Sequence, residues 1–189
     1  MMKPTWRPRG ARTHLLAAAL ACAALAGCSL DVTNPNAPSE EQVISTVDGI
    51  ITLGVGLQSQ YADNLNLFLR APALATDEWG TRPIALAADV SLVTGNPDPT
   101  FGVVSDPFAA GYRIARTADI LIRDAPNVGL GSALQAGIVS MSRLFKAMAL
   151  GQMALQYEHL PANAGEGALP LPRAQVLDSA IALLEQART

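Results

Sequence analysis

Between Ser132 and Leu155 the chain carries two apolar stripes at helical spacing. A helix apolar on two sides must lie inside its domain, with neighbours on both. Leu134, Ile138, Met141, Phe145 and Met148 step by three and four, and Leu144, Ala147, Gly151 and Leu155 form the second stripe. The small residues among them let adjacent helices approach closely. Ser132 and Gln135 have the spacing of a capping box, and Tyr157, His159 and Pro161 mark the far end. A fold built round such a segment is all-α.

Three further segments have helical periodicity. Ser39-Glu40-Glu41-Gln42 also has capping-box spacing, with two carboxylates suited to the positive end of a helix. Val43, Val47, Ile50, Gly54, Leu57 and Tyr61 follow at helical intervals, and Leu65, Phe68 and Leu69 extend the pattern, with room for a kink. Gly49, Gly54 and Gly56 each weaken this helix by up to about 1 kcal/mol, so close contact with a neighbouring helix is expected there. Asp106-Pro107 reads as a cap followed by proline at the first helical position. The helix it opens has Gly111, Ala115, Ala118 and Ile122 on one face and Arg113, Arg116, Asp119 and Arg123 on its wet side, and Pro126 and Gly129 end it. The last segment, 173–188, has Leu177, Ala180, Ile181 and Leu184 as its apolar face. With no stop signal after it, the domain, 39–189, is expected to be interrupted at its C-terminal side. Between the first and second helices, 71–107 is rich in proline and glycine and reads as a loop-rich insertion with a short helical or extended piece at 84–93. No sequence repeat stands out at the roughly 34-residue tetratricopeptide period, yet paired amphipathic helices with small residues at their contacts suit an α-α helical stack.

The beginning of the chain has a different character. Lys3, Arg7, Arg9 and Arg12 precede an uncharged Leu/Ala run that closes on Leu25-Ala26-Gly27-Cys28. This order is that of a signal peptide, 1–27, ending in a lipobox, where cleavage exposes Cys28 for acylation with chains such as palmitate. An uncleaved membrane anchor is the alternative, but the run is about a dozen residues, short of the roughly 20 that a spanning helix needs. Several acyl chains anchor a protein stably where one does not. Residues 28–38, with Pro35 and Pro38 beside Asn34 and Asn36, form the lipidated linker.

Without the leader the chain keeps 9 Lys and Arg against 16 Asp and Glu, a formal charge of −7 instead of −3. That balance argues against a nucleic-acid partner. Cys22 leaves with the leader and Cys28 is used for lipid, so no cysteine remains for a disulfide, a nucleophile or a zinc site. His159 is then the only histidine and reads as a helix-end residue. Asn96 and Asp98 flank Pro97 in a turn and lack calcium-loop spacing. No catalytic residue, cofactor or metal is expected.

The segment Cys28-Ser29-Leu30-Asp31-Val32-Thr33-Asn34-Pro35-Asn36 resembles the mature start of SusD/RagB-like nutrient-binding lipoproteins. Residues 112–122, beginning Tyr112-Arg113-Ile114, look like that family's "yraI..aN.lI" helix, with Asp119 in place of its usual asparagine. Residues 143–150, beginning Arg143-Leu144-Phe145, look like its "a.fLRAlay..L" helix, followed by Tyr157 and the Leu160-Pro161 turn. Residues 176–181 resemble the helix that comes next. The resemblance covers the front of the family fold only. It implies a tetratricopeptide-like helical scaffold tethered at the bacterial outer membrane. It also implies non-catalytic capture of nutrients, most readily oligosaccharides, as the lid of a TonB-dependent (SusC-like) transporter.

Sugar recognition calls for an aromatic platform beside carboxylates, amides or guanidinium groups. Trp79, the only tryptophan outside the leader, sits in Asp77-Glu78-Trp79-Gly80 with Arg82 nearby, so Trp79, Asp77, Glu78 and Arg82 are the candidate ligand-binding residues. The alternative is a ring that plugs the loop onto the helices. Tyr112, Phe145 and Tyr157 lie on helical faces and are expected in the core. Two other functions compete: a lipid-anchored scaffold for protein–protein interaction, and a cell-envelope hydrolase using the Asp77 and Glu78 carboxylates.

Overall fold

A computed structural model describes residues 38–82 and 86–188. The expected leader, the expected acylation site Cys28, the expected linker up to Ala37, residues 83–85 and Thr189 lie outside the described residues. Among those described, the secondary structure is helical apart from one two-stranded ribbon. The elements are α1 (Glu40–Ile44), α2 (Val47–Ala75), α3 (Ala87–Val93), α4 (Gly102–Asp124) running into a 3-10 turn (Ala125–Asn127), α5 (Ser132–Gln156), β1 (His159–Leu160), β2 (Leu171–Pro172) and α6 (Arg173–Ala187). No described helix is long and apolar enough to cross a membrane.

Helix α5 is central and packs against α2, α4 and α6, but the two expected stripes are only partly covered. Ile138 and Ala147 are buried, Leu134, Leu144, Met148 and Leu155 are exposed, and Ala149, Leu150, Met153 and Ala154 supply most of the covered face. The core brings together Ile50, Leu57 and Phe68 from α2, Ile114 and Leu121 from α4, and Leu150 and Met153 from α5, all fully buried. Leu160 from β1 and Val176 from α6 complete it. Each such side chain contributes roughly 1.5–3 kcal/mol by leaving water. At the α4–α5 contact a Cβ on Gly111 would stand 2.3 Å from Met153 Sδ, so any larger residue there requires the buried Met153 side chain to move. β1 pairs antiparallel with β2, Leu160 opposite Leu171, and closes a ten-residue excursion between α5 and α6.

The Ser39 capping box forms as its spacing predicts, with Gln42 N–H bonded to Ser39 Oγ (3.3 Å) and Ser39 N–H to Gln42 Oε1 (2.9 Å). The helix does not continue unbroken. Thr46 Oγ1 accepts the Gly49 N–H (3.1 Å) and starts α2 afresh. Gly49 is required at this junction because a Cβ there would meet Val43 O at 2.0 Å. Gly54 makes the expected interhelical contact, its Cβ position lying 3.5 Å from Met141 Cε, whereas Gly56 faces open space.

The expected irregular stretch is shorter than 71–107. α2 runs through Pro72 to Ala75, and Thr76 locks the last turn by donating both N–H and Oγ1–H to Pro72 O (3.0 and 2.9 Å). α4 starts at Gly102, not at Asp106-Pro107, and Pro107 is buried within it. The cause is tertiary. Val103 and Val104 pack on Leu92, Ala71 and Leu74 in a second small core, which holds a first turn that local capping does not. Arg70 and Asp89, paired at 2.7 Å, tie α2 to α3 across the same region.

Two other expectations need correction. Ser132 is the first helical residue of α5 with Gly131 as the cap, and no side-chain capping bond forms. On α6 the buried stripe is Val176 and Ala180, with Leu177 and Leu183 beside it, while Ile181 and Leu184 are exposed. The α6 axis is rotated so that the face nearer Val176 meets α5.

Candidate functional site

The loop leaving α2 holds the four residues singled out for sugar binding. Asp77 takes a left-handed backbone conformation (φ 59°), and Trp79 N–H returns to Ala73 O at 3.0 Å. This geometry turns the chain away from the helix and leaves Asp77, Glu78 and Arg82 in solvent. Trp79 is 44 % exposed and belongs to neither apolar core. Among the described residues no hydrogen bond or ion pair joins Asp77, Glu78 or Arg82 to anything. The four share one loop, but no polar contact binds them into a site.

A more built arrangement lies on α4. Phe108, Tyr112 and Arg116 are spaced four apart and so line one edge of the helix, with Arg113 in the adjacent row. The Phe108 ring is 38 % exposed and stands 4.7 Å from the Tyr112 ring and 5.5 Å, edge-on, from Tyr157. Opposite them runs the segment between β1 and β2. A groove of about 400 Å³ lies between, lined by Phe108, Tyr112, Arg113 and Arg116 on one side and Asn163 and Gly165 among the loop residues on the other. A second cleft of about 180 Å³ continues it past Arg116 and Ala164 to Asp119 and Arg123.

Two anchors hold the loop wall in place. Tyr112 donates its hydroxyl hydrogen to Pro161 O, and Lys146 reaches Asn163 Oδ1 at 3.4 Å while bonding Asp119 Oδ1 at 2.6 Å. Past these anchors the loop turns at Gly167, whose φ of 72° suits glycine. Along the groove most charges are matched: Arg116 with Glu40 at 3.2 Å, Arg123 with Asp124 at 2.6 Å, Lys146 with Asp119. Arg113 is exposed and has no ion-pair partner among the described residues.

No protein-family model, curated protein or solved structure matches this chain. Its function must be argued from its own residues. Of the three helical aromatics expected in the core, Phe145 and Tyr157 pack against it half-buried, and so does Tyr112, which also shows one edge to the groove. Sequence reasoning passed over Phe108. The available signal was its four-residue spacing from Tyr112 and Arg116, which places an aromatic ring in line with the arginines of the wet face.

The remaining candidates are simple. His159 lies in β1 rather than at the end of α5, and it is exposed. Asp98 accepts from Thr100 Oγ1 (2.7 Å) and Thr100 N–H (2.8 Å), bonds that hold its carboxyl below the usual carboxylate range, so this loop is a local turn as expected. Among the described residues no group of three His, Cys, Asp or Glu could hold a metal ion. A separate cleft of about 380 Å³, between the end of α2, α3 and Leu155, is lined chiefly by apolar side chains such as Ala71, Leu92 and Val104.

The groove has a spectroscopic handle. Burial pushes the Tyr112 phenol from the ordinary 10.0 up to about 12, and burial raises Tyr61 and Tyr157 as well. These are all three tyrosines of the chain. A raised phenol pKa means that the fold favours the neutral form. The associated stability is complete below pH 10 and falls as pH climbs towards about 12. Absorbance titration of the folded protein should therefore show tyrosinate appearing later than in the denatured chain, and Tyr112→Phe should remove the latest-titrating component. Ionisation of all three at the denatured value would refute this.

Proposed function

We propose that this protein captures a nutrient, most readily an oligosaccharide, without transforming it. In this reading Cys28 is acylated and tethers the domain at the bacterial outer membrane, where a SusC-like TonB-dependent transporter receives the ligand. The α4–α6 helices would belong to a tetratricopeptide-like stack. The reading draws on the resemblance of residues 28–36, 112–122 and 143–150 to SusD/RagB-like lipoproteins.

The observation that carries the binding part is the α4 groove. An exposed aromatic ring offers a face to the apolar side of a pyranose. Arg113, Arg116 and Asn163 offer hydrogen-bond donors, and the loop backbone offers acceptors. From Phe108 to Arg123 the helix spans about 22 Å at 1.5 Å per residue, a length that suits a chain of sugars better than a single one. The Trp79 loop is the alternative platform.

Isothermal titration against a panel of oligosaccharides distinguishes the two. Phe108→Ala is expected to weaken binding about tenfold, equivalent to the loss of one stacking contact, and Trp79→Ala to leave it unchanged. The reverse pattern would move the site to the loop after α2. Binding of no oligosaccharide at all would remove the capture reading. A lipid-anchored scaffold would then stand, favoured by exposed Leu144 and Leu184 along the groove between α5 and α6.

A further inference from the structure

We infer that the ligand of the α4 groove is an acidic oligosaccharide, one bearing hexuronate carboxylates; this rests on the capture reading above and narrows its ligand class. The ground is the charge inventory of the groove. Arg116 and, in the cleft that continues the groove, Arg123 are each paired with a carboxylate of this chain, Glu40 and Asp124. Arg113 lines the same groove, is exposed, and has no such partner among the described residues. Among the described residues, Arg113 is thus the guanidinium of this groove without a carboxylate partner.

Its position suits a carboxylated sugar. Arg113 lies five residues beyond Phe108, about 7.5 Å along the helix axis and about 140° round it, and both line the groove, so a sugar chain with one ring on Phe108 can direct the carboxylate of a neighbouring ring towards the guanidinium. A guanidinium fork receives both oxygens of a carboxylate in one plane, a match that a neutral hydroxymethyl group cannot make. Arg116 lies next along the helix, but its charge is already engaged by Glu40. Asn163 and the Gly165 backbone across the groove are left for hydroxyls. The exposed pairing should weaken with added salt.

The test compares tetragalacturonate with the same oligomer fully methyl-esterified, which keeps the rings and removes the charge. Binding to the intact domain is measured by isothermal titration at low and high salt. The acid is expected to bind about tenfold more tightly than the ester at low salt. Arg113→Gln should abolish that difference by weakening the acid far more than the ester, and Arg113→Lys should restore only part of it. Arg113 is exposed, so circular dichroism should show each variant folded. Equal binding of acid and ester, or a preference that survives in Arg113→Gln, overturns the inference and leaves the capture reading standing. Failure of both oligomers, with every neutral sugar also silent, overturns the capture reading itself.

Discussion

Phe68→Ala should lower the unfolding free energy by about 4 kcal/mol, the range for removing a buried aromatic ring that leaves a void. The void is hard to close. Phe68 is fully buried, its ring lies 5.9 Å from that of Tyr61, and Tyr61 in turn stands 5.3 Å from Phe145. The backbone cannot sag inward either, because Phe68 O accepts the Gln156 Nε2–H from α5 at 3.0 Å. The neighbouring residue is the control. Leu69 is 45 % exposed, and Leu69→Ala should cost no more than about 0.5 kcal/mol. Urea denaturation with an unchanged slope measures both. Similar losses at the two positions would mean that the α2 face is wrongly assigned.

The second large effect comes from Asp119, and it is asymmetric. The Lys146 side chain is 7 % exposed and the Asp119 side chain 40 %. Asp119→Ala strands an ammonium in apolar surroundings with only Asn163 Oδ1 nearby at 3.4 Å. Breaking a buried pair from that side costs about 3 kcal/mol, the low end of the range because water reaches the carboxylate edge. Lys146→Met leaves a carboxylate that water can solvate and fills the vacated space, so about 1 kcal/mol or less is expected. Asp119→Asn should fall between, since the amide oxygen still accepts the bond but carries no charge. Chemical denaturation of the three variants and the double replacement gives the coupling directly. Equal losses from either side would contradict the asymmetric burial.

Much of this fold is written in local spacing. The Ser39 box, the start of α6 at Arg173 and the central place of α5 all follow from capping chemistry and the 3.6-residue period. What escaped depends on contacts far apart in the chain. Pro72 reads as part of the irregular stretch and Pro107 as the first residue of a helix, yet both sit inside helices, where Val103 and Val104 find Leu92, Ala71 and Leu74. Ile181 and Leu184 look as apolar as Val176, and only the packing of α6 on α5 decides which are covered. The groove was still less legible. Trp79 draws the eye through its rarity and acidic neighbours, while Phe108 gains meaning only when the segment after β1 folds over α4. Likewise, Arg113 and Arg116 are alike in sequence. They differ because Glu40, 76 residues away from Arg116, reaches one of them.

The contact between Gly111 and Met153 bears on how the groove can adapt. The absence of a Cβ at Gly111 lets the Met153 side chain fill the space on the inner side of α4, and the fully buried Ile114 and Leu121 hold that side of the helix in the core. Adjustment to ligands of different breadth falls to the opposite bank, where Gly165 has open space for a side chain while Gly167 is held to glycine by its left-handed backbone. Changes in that short stretch could retune selectivity while the load of folding stays on the helices.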